Sequence, residues 1–270
     1  MCTVSVIPIE NAARDQGIRI VCNRDEQRSR ASSTPPLEQS FGQRRAVMPY
    51  DPASGGTWIA ANDAGLAMVL MNVNAAPTER GSASISPKNC RSRGLIIPSL
   101  LHLDCADAMV QRCLHIRAAD FAPFRLILAS TGGCIELVSD GRAVRCRSAV
   151  LPGRVAMFTS SGLGDHVVEP PRRILFESLL GEGQHSAPRQ DDFHLHEWLD
   201  RPHLSVRMSR PDARTVSRTT IEIGAEQTIM RYAALDDSGT ECDATGCVLA
   251  GSAMKRDSIL AGAAPCAPSA

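Results

Sequence analysis

The chain has 270 residues, enough for one large domain or two small ones around a substantial buried core. Lys plus Arg equals Asp plus Glu at 29 each, so no global basic field draws the protein to nucleic acid or to an anionic membrane. Hydrophobic residues make up 43% and aromatics only 4%, so the core must be aliphatic.

Thr3 to Ile7 is β-branched and bounded by Pro8, and it reads as a strand. Ile18 to Cys22 reads as a second strand, joined to the first as a hairpin through the polar stretch 10–17. Asn23-Arg24-Asp25-Glu26 stands at its exit. If the strand continues, alternation puts Asn23 and Asp25 on one face and Arg24 and Glu26 on the other, where the last two can pair. Residues 27–50 are polar, contain Pro35-Pro36, and read as a surface loop. Thr57 to Ala61 and Leu66 to Asn72 form a further hairpin about Asn62-Asp63-Ala64-Gly65. Residues 75–93 read as a second polar loop.

Helical spacing covers Gly94 to Leu103 and Asp104 to Ile116, with Asp104 as a cap for the second helix. Phe124 to Ala129, Cys134 to Ser139 and Ala143 to Arg147 read as successive strands, with a tight turn at Asp140-Gly141. Val155 to Thr159 is another strand, and Pro171 to Leu180 reads as a helix with proline in its first turn. A short helix is expected about Glu197-Trp198-Leu199, then a β pair at Ser217 to Ile223 and Gln227 to Leu235. Strands, helices and strands are segregated along the chain, which fits α+β layers rather than a Rossmann alternation. A single domain over 1–250 is expected, followed by an Ala-, Gly- and Pro-rich disordered tail over 251–270.

Several of the ten cysteines lie in apolar runs, and none forms a dense framework. The first residues lack a secretory signal, so the thiols are expected to be reduced and the protein cytoplasmic. No apolar run reaches the ~20 residues needed to span a bilayer. The His194, His196 and His203 spacing matches no zinc pattern and reads as surface histidines; no metal and no cofactor are expected. Cys242 and Cys247 read as incidental. Pro170-Pro171-Arg172-Arg173 reads as a helix start with exposed arginines or as a place for a ligand carboxylate.

Cys2 is the most informative residue. Removal of Met1 would leave an α-amine (pKa ~7.7–8.0) beside its own thiol (~8.5), so one residue would serve as nucleophile and base. The bland reading makes Cys2 one cysteine of ten at the start of a buried strand.

Met1-Cys2 opening a strand, Asn23-Arg24-Asp25-Glu26, Arg30, Gly55-Gly56-Thr57-Trp58 and Asn72 form an ordered set. Thr159-Ser160-Ser161-Gly162-Leu163-Gly164-Asp165 with Pro171-Arg172-Arg173, and Arg218-Thr219-Thr220-Ile221, extend it. Together they resemble the NRDE family, to which the eukaryotic transport-and-Golgi-organisation proteins belong, over roughly residues 1–235. That family is similar to the N-terminal-nucleophile hydrolases of the penicillin V acylase and bile-salt hydrolase group. The resemblance implies an α+β fold, a four-layer αββα sandwich.

It further implies Cys2 as nucleophile, Asp25 as partner of its amine, Asn72 as an oxyanion donor and Arg218 near the site. Asn23, Arg24, Trp58 and Ser160 are expected to contact the substrate, although Trp58 reads first as a packing residue. The chain departs from the acylases at two places: Cys22 stands where they carry an Arg, and Ser160 where a second Asn is expected. Two functions stay open. One is hydrolysis of a non-peptide amide bond in a small acylated amine. The other is a non-catalytic protein handling haem or lipid in the same pocket. The partner in either case is a small molecule; oligomeric state is not legible.

Overall fold

The computed structural model describes residues 2–10, 16–74, 90–181 and 183–251. The expected tail over 251–270 falls almost wholly outside them, as do most of the 75–93 loop and the first hairpin's turn.

Two antiparallel sheets dominate. The six-stranded sheet runs β10-β1-β2-β11-β12-β13, built from β1 (Cys2–Glu10), β2 (Gln16–Gln27), β10 (Ala156–Ser160), β11 (Ala213–Ile223), β12 (Gln227–Leu235) and β13 (Glu241–Ala250). The seven-stranded sheet follows chain order. It comprises β3 (Thr34–Phe41), β4 (Arg44–Tyr50), β5 (Ile59–Asn62), β6 (Ala67–Asn72), β7 (Phe124–Ser130), β8 (Gly133–Ser139) and β9 (Val144–Val150). Helix α1 (Ala106–Leu114) belongs to the second sheet; α2 (Asp165–Leu180) and α3 (Ala187–Leu195) belong to the first.

Strand alternation sorts the side chains into three cores. Val4, Val6, Ile20, Ile221 and Met230 from one sheet meet Val47, Ile59, Val69 and Ile127 from the other. On its other face the seven-stranded sheet packs Met68, Leu126 and Ile135 against Ile96, Leu100, Met109 and Val110. Ile7 and Met157 pack against Phe176, Leu180 and Phe193 of α2 and α3. Each fully buried aliphatic side chain stabilises by about 1.5–3 kcal/mol. The molecule is an α+β sandwich.

The helix-facing side of the six-stranded sheet is unusually polar. Thr3, Ser5, Arg19, Asn23, Asp25 and Thr159 are all buried there. Arg172 on α2 is fully buried and donates to Thr3 Oγ1 and Thr159 Oγ1 at 2.7 Å, Ser205 O at 2.7 Å and Leu204 O at 3.0 Å. The expectation that Arg172 is exposed or free for a ligand is therefore corrected: its donors are used inside the protein.

Other expectations also need correction. Residues 34–41 and 44–50 are strands, not loop. β3 is an edge strand, where Pro35 and Pro36 can stand without breaking a central ladder. The stretch expected as one helix over 94–103 is two short 3-10 turns, Arg93–Leu95 and Ile97–Ser99. α1 begins at Ala106 with Cys105 at the cap, so Asp104 does not serve there. α2 starts at Asp165 rather than Pro171, and its first turn is tied down by Ser161 N–H donating to Asp165 Oδ1 at 2.9 Å. Glu197-Trp198-Leu199 is not helical; α3 ends at Leu195. Cys242 and Cys247 lie on β13, a strand not foreseen.

Candidate active site

Cys2 opens β1 between two neighbours, paired with Ser160 of β10 on one side and Arg24 of β2 on the other. It is 3% exposed and belongs to the inter-sheet core, yet it also lines a cavity of about 350 Å³. Arg24, Trp58, Met71 and Asn72 line the same cavity. The Cys2 backbone N–H donates to Ser160 Oγ at 3.2 Å. The residue standing where the acylases carry an Asn is therefore the one that touches the Cys2 nitrogen.

Cys22 lies on the same inner face of β2, two residues before Arg24. A hydrogen bond from the Cys22 thiol lowers the Cys2 thiol below its ordinary value, against the opposing effect of burial. The same contact, with burial, raises Cys22 well above its ordinary value. Of the two thiols, Cys22 holds its proton the more tightly. By contrast, burial pushes Cys113 and Cys134 up to about 12, so those thiols are inert.

Asp25 points to the opposite face of β2 from Arg24, as strand alternation requires. Thr215 Oγ1 donates to Asp25 Oδ1 at 2.7 Å. Burial raises the Asp25 carboxyl, and Arg172 and the Thr215 bond pull it partly back. Its charge also acts on the Cys2 thiol, raising it, so the two groups are electrostatically coupled.

The cavity wall beside Cys2 is a cluster of ions. Arg24 reaches Asp51 at 2.7 Å and Glu26 at 3.5 Å. Arg30 reaches the same Asp51 oxygen at 2.8 Å and Glu26 at 3.5 Å. Burial pushes the Asp51 carboxyl up, but the Arg30 bond and the charges of Arg24 and Arg30 outweigh it and hold it below the usual range. The Arg24 guanidinium also lies over the Trp58 ring, 4.1 Å from its centroid. The Arg24–Glu26 pair was legible in the motif. Asp51 was not, because it comes from the turn after β4 and nothing in its local sequence marks it.

Besides Asp25, which does not line the cavity, two more expected site residues stand on the helix side of the sheet. The Asn23 amide donates to His194 O at 2.8 Å and Val206 O at 3.1 Å, on the helix side of the sheet. Arg218 is on that side too, held by Asp191 at 2.7 Å and Glu241 at 2.6 Å. Neither lines the cavity with Cys2. His194 is fully buried, correcting its reading as a surface histidine. Its Nδ1 lies 3.1 Å from Asn23 Oδ1 and its Nε2 2.7 Å from Ser5 Oγ. Among the described residues no group of three or more His, Cys, Asp or Glu is placed to hold a metal ion. No helix among them is long and apolar enough to cross a membrane.

The sequence profile described as Transport and Golgi organisation 2 matches residues 1–161, more than half of the chain. The chain belongs to the Transport and Golgi organisation 2 family. That stretch carries Cys2, the 23–26 motif, Trp58, Asn72 and Ser160, so the cavity beside Cys2 is built from the family's own segment. Comparison with curated protein sequences gave no match.

Among solved structures, this family member is similar to the Caenorhabditis elegans N-acylethanolamine-hydrolyzing acid amidase (NAAA) ortholog. The TM-score is 0.52 with 15% identity, over 81% of this chain and 92% of that one. At that identity the likeness shows a shared fold and nothing more. The C2A mutant of the conjugated bile acid hydrolase from Clostridium perfringens also aligns, at TM-score 0.47 and 10% identity, over 90% of this chain and 92% of that one. At that score it adds nothing to the assignment.

Proposed function

We propose that the protein is an N-terminal-cysteine amidohydrolase that cleaves the C–N amide bond of a small acylated amine through a thioester on Cys2. The four-layer αββα arrangement and a single domain over 1–250 are part of this reading. The observation that carries it is one shared cavity: Cys2 and Asn72 line it together, and the Cys2 nitrogen lies 3.2 Å from Ser160 Oγ.

Once Met1 is removed, that nitrogen is an α-amine that titrates at ~7.7–8.0, close enough to the thiol to take its proton. The thiolate attacks the amide carbon, and the carbonyl oxygen takes the negative charge. Asn72 donates its side-chain N–H to that oxygen. The α-ammonium then gives its proton to the leaving nitrogen as the C–N bond breaks. Water next attacks the thioester and gives a proton to the α-amine. The Cys2 sulfur leaves, and an acid and an amine have been released. Ser160 accepts a hydrogen bond from the α-ammonium, and the buried Asp25 carboxylate supplies a negative charge beneath it. Arg24 and Trp58 form the wall that the substrate meets. Asn23 and Arg218 act as positioning residues, since both fasten the sheet to the segment about α3.

Intact mass and turnover test this directly. The mature protein should lack Met1 and should release amine from N-hexanoyl amides. Cys2→Ala should abolish release, and Asn72→Ala should slow it by about 10²–10³, the usual effect of one lost oxyanion donor. Retention of Met1 removes the base and rules the mechanism out. Stoichiometric haem binding lost in Cys2→Ala, without turnover in the wild type, would instead favour the ligand-binding alternative.

A further inference from the structure

Four arginines line the cavity that holds Cys2: Arg24, Arg30, Arg91 and Arg93. Among the described residues two carboxylates, Glu26 and Asp51, line it with them. Both carboxylates are already shared by Arg24 and Arg30. Among the described residues Arg91 and Arg93 make no ion pair: Arg93 Nη1 donates to Pro123 O at 2.8 Å, and the Arg91 guanidinium lies 5.5 Å from the Phe121 ring centroid. Burial lowers Arg93 below its ordinary value, so its charge is held at a cost.

The backbone that carries this pair is tied down, although the Arg91 side chain is exposed. Arg91 N–H donates to Asp120 O at 2.9 Å, and Thr57 N–H donates to Gly94 O at 3.1 Å. Gly56 packs so closely on Gly94 that a Cβ there would collide with the Gly94 carbonyl. The backbone on both sides of the two arginines is thus clamped, one side to the 3-10 turn (Ala118–Asp120) leading into β7 and the other to the turn leading into β5. A fixed backbone lowers the entropy lost when the two side chains receive an anion.

We propose that Arg91 and Arg93 form an anion subsite of this cavity, so that the amide recognised beside Cys2 carries an acidic group, carboxylate or phosphate, on its amine portion. The inference rests on the amidohydrolase reading for the position of the scissile bond. Guanidinium groups bind either anion through charge-assisted, often bidentate hydrogen bonds.

Three probes with one acyl chain test it: N-hexanoylglycine, N-hexanoylethanolamine and the phosphate ester of the latter. Binding is measured by calorimetry on Cys2→Ala, which cannot form the thioester. At least one acidic probe should bind about tenfold or more tightly than the neutral one. The better of the two identifies carboxylate or phosphate as the group the site takes. Arg91→Gln with Arg93→Gln should reduce that preference to within about twofold, and raised salt should weaken it. Equal binding of all three probes, no binding of any, or a preference that survives the double substitution overturns the proposal. Turnover in the wild type separates the two readings. Cleavage without charge preference retains the amidohydrolase and sinks the subsite; charge preference without cleavage does the reverse.

Discussion

Replacing Arg172 by Met should cost about 3–5 kcal/mol of stability and disturb Cys2 as well. Four acceptors lose their donor. The Thr3 and Thr159 hydroxyls lie 3.2 Å apart and can donate one to the other, so they contribute little to the loss. The Leu204 and Ser205 carbonyls have no such substitute, and each buried orphan costs about 1–3 kcal/mol. Asp25 loses the charge that holds its carboxyl down, and it answers by taking a proton, which limits the electrostatic cost. Arg172→Lys keeps the charge with at most three donors and should cost about 1–2 kcal/mol.

Urea unfolding followed by tryptophan fluorescence reads the stability, since Trp58 is buried between the sheets. The pH profile of Cys2 alkylation reads the site, because Thr3 and Thr159 adjoin Cys2 and Ser160 along β1 and β10. Methionine should shift both readouts. A stability change under about 1 kcal/mol would mean that the carbonyls find water instead, and the reasoning from orphaned acceptors would be wrong.

His194 should make the protein sensitive to acid. Burial holds its imidazole well below the ordinary value, so between that depressed value and ~6.5 the unfolded chain binds a proton that the folded chain does not. Stability is therefore full above ~6.5 and falls with pH below it, by at most ~1.4 kcal/mol per unit from this group. Urea midpoints between pH 7.5 and 5 measure the slope, and His194→Gln should flatten it. Gly56→Ala should lower stability by about 1–3 kcal/mol, because the new Cβ meets the Gly94 backbone rather than a movable side-chain end. It should also blunt the preference for acidic probes, by pushing the Arg91 and Arg93 segment outward.

The parts of the fold that were legible in the sequence are those where local chemistry decides. The β5–β6 turn is one: Asn62 Oδ1 accepts from the Ala64 and Leu66 N–H groups, and Gly65 takes φ 72°. The β8–β9 turn is another, with Asp140 Oδ1 accepting from Arg142 and Ala143. β3, β4 and β13 were missed because none presents a clean apolar alternation. β3 and β13 are edge strands and β4 lies between β3 and β5, each specified by its neighbours' ladders rather than by its own pattern. In the candidate site, the family motif pointed to Cys2, Arg24, Trp58, Asn72 and Ser160, and these stand at or beside one cavity. Asp51, Arg91 and Arg93 gave no signal, since an arginine's partner depends on which distant segment folds beside it. Arg172 and His194 misled for the same reason. Polar residues read as surface residues until another buried polar group is there to receive them.

Hydrogen-bond geometry by itself would choose a different nucleophile. Ser5 Oγ lies 2.7 Å from His194 Nε2, and His194 Nδ1 lies 3.1 Å from Asn23 Oδ1, the order of a nucleophile, a base and an orienting group. Both Asn23 amide hydrogens go to carbonyls, so its oxygen must accept, Nδ1 carries the imidazole proton, and Nε2 accepts from Ser5. Gln190 Nε2 then donates to the same Ser5 oxygen at 2.8 Å. Every polar atom is satisfied, Ser5 and His194 are fully buried, and Ser5 lines no described cavity. The trio fastens α3 to the sheet. Cys2 differs in the two respects that chemistry needs. It lines an open cavity together with Asn72, and the neighbouring thiol lowers its own below the ordinary value. On the proposed reading, access and charge rather than the pattern of contacts favour Cys2 over Ser5.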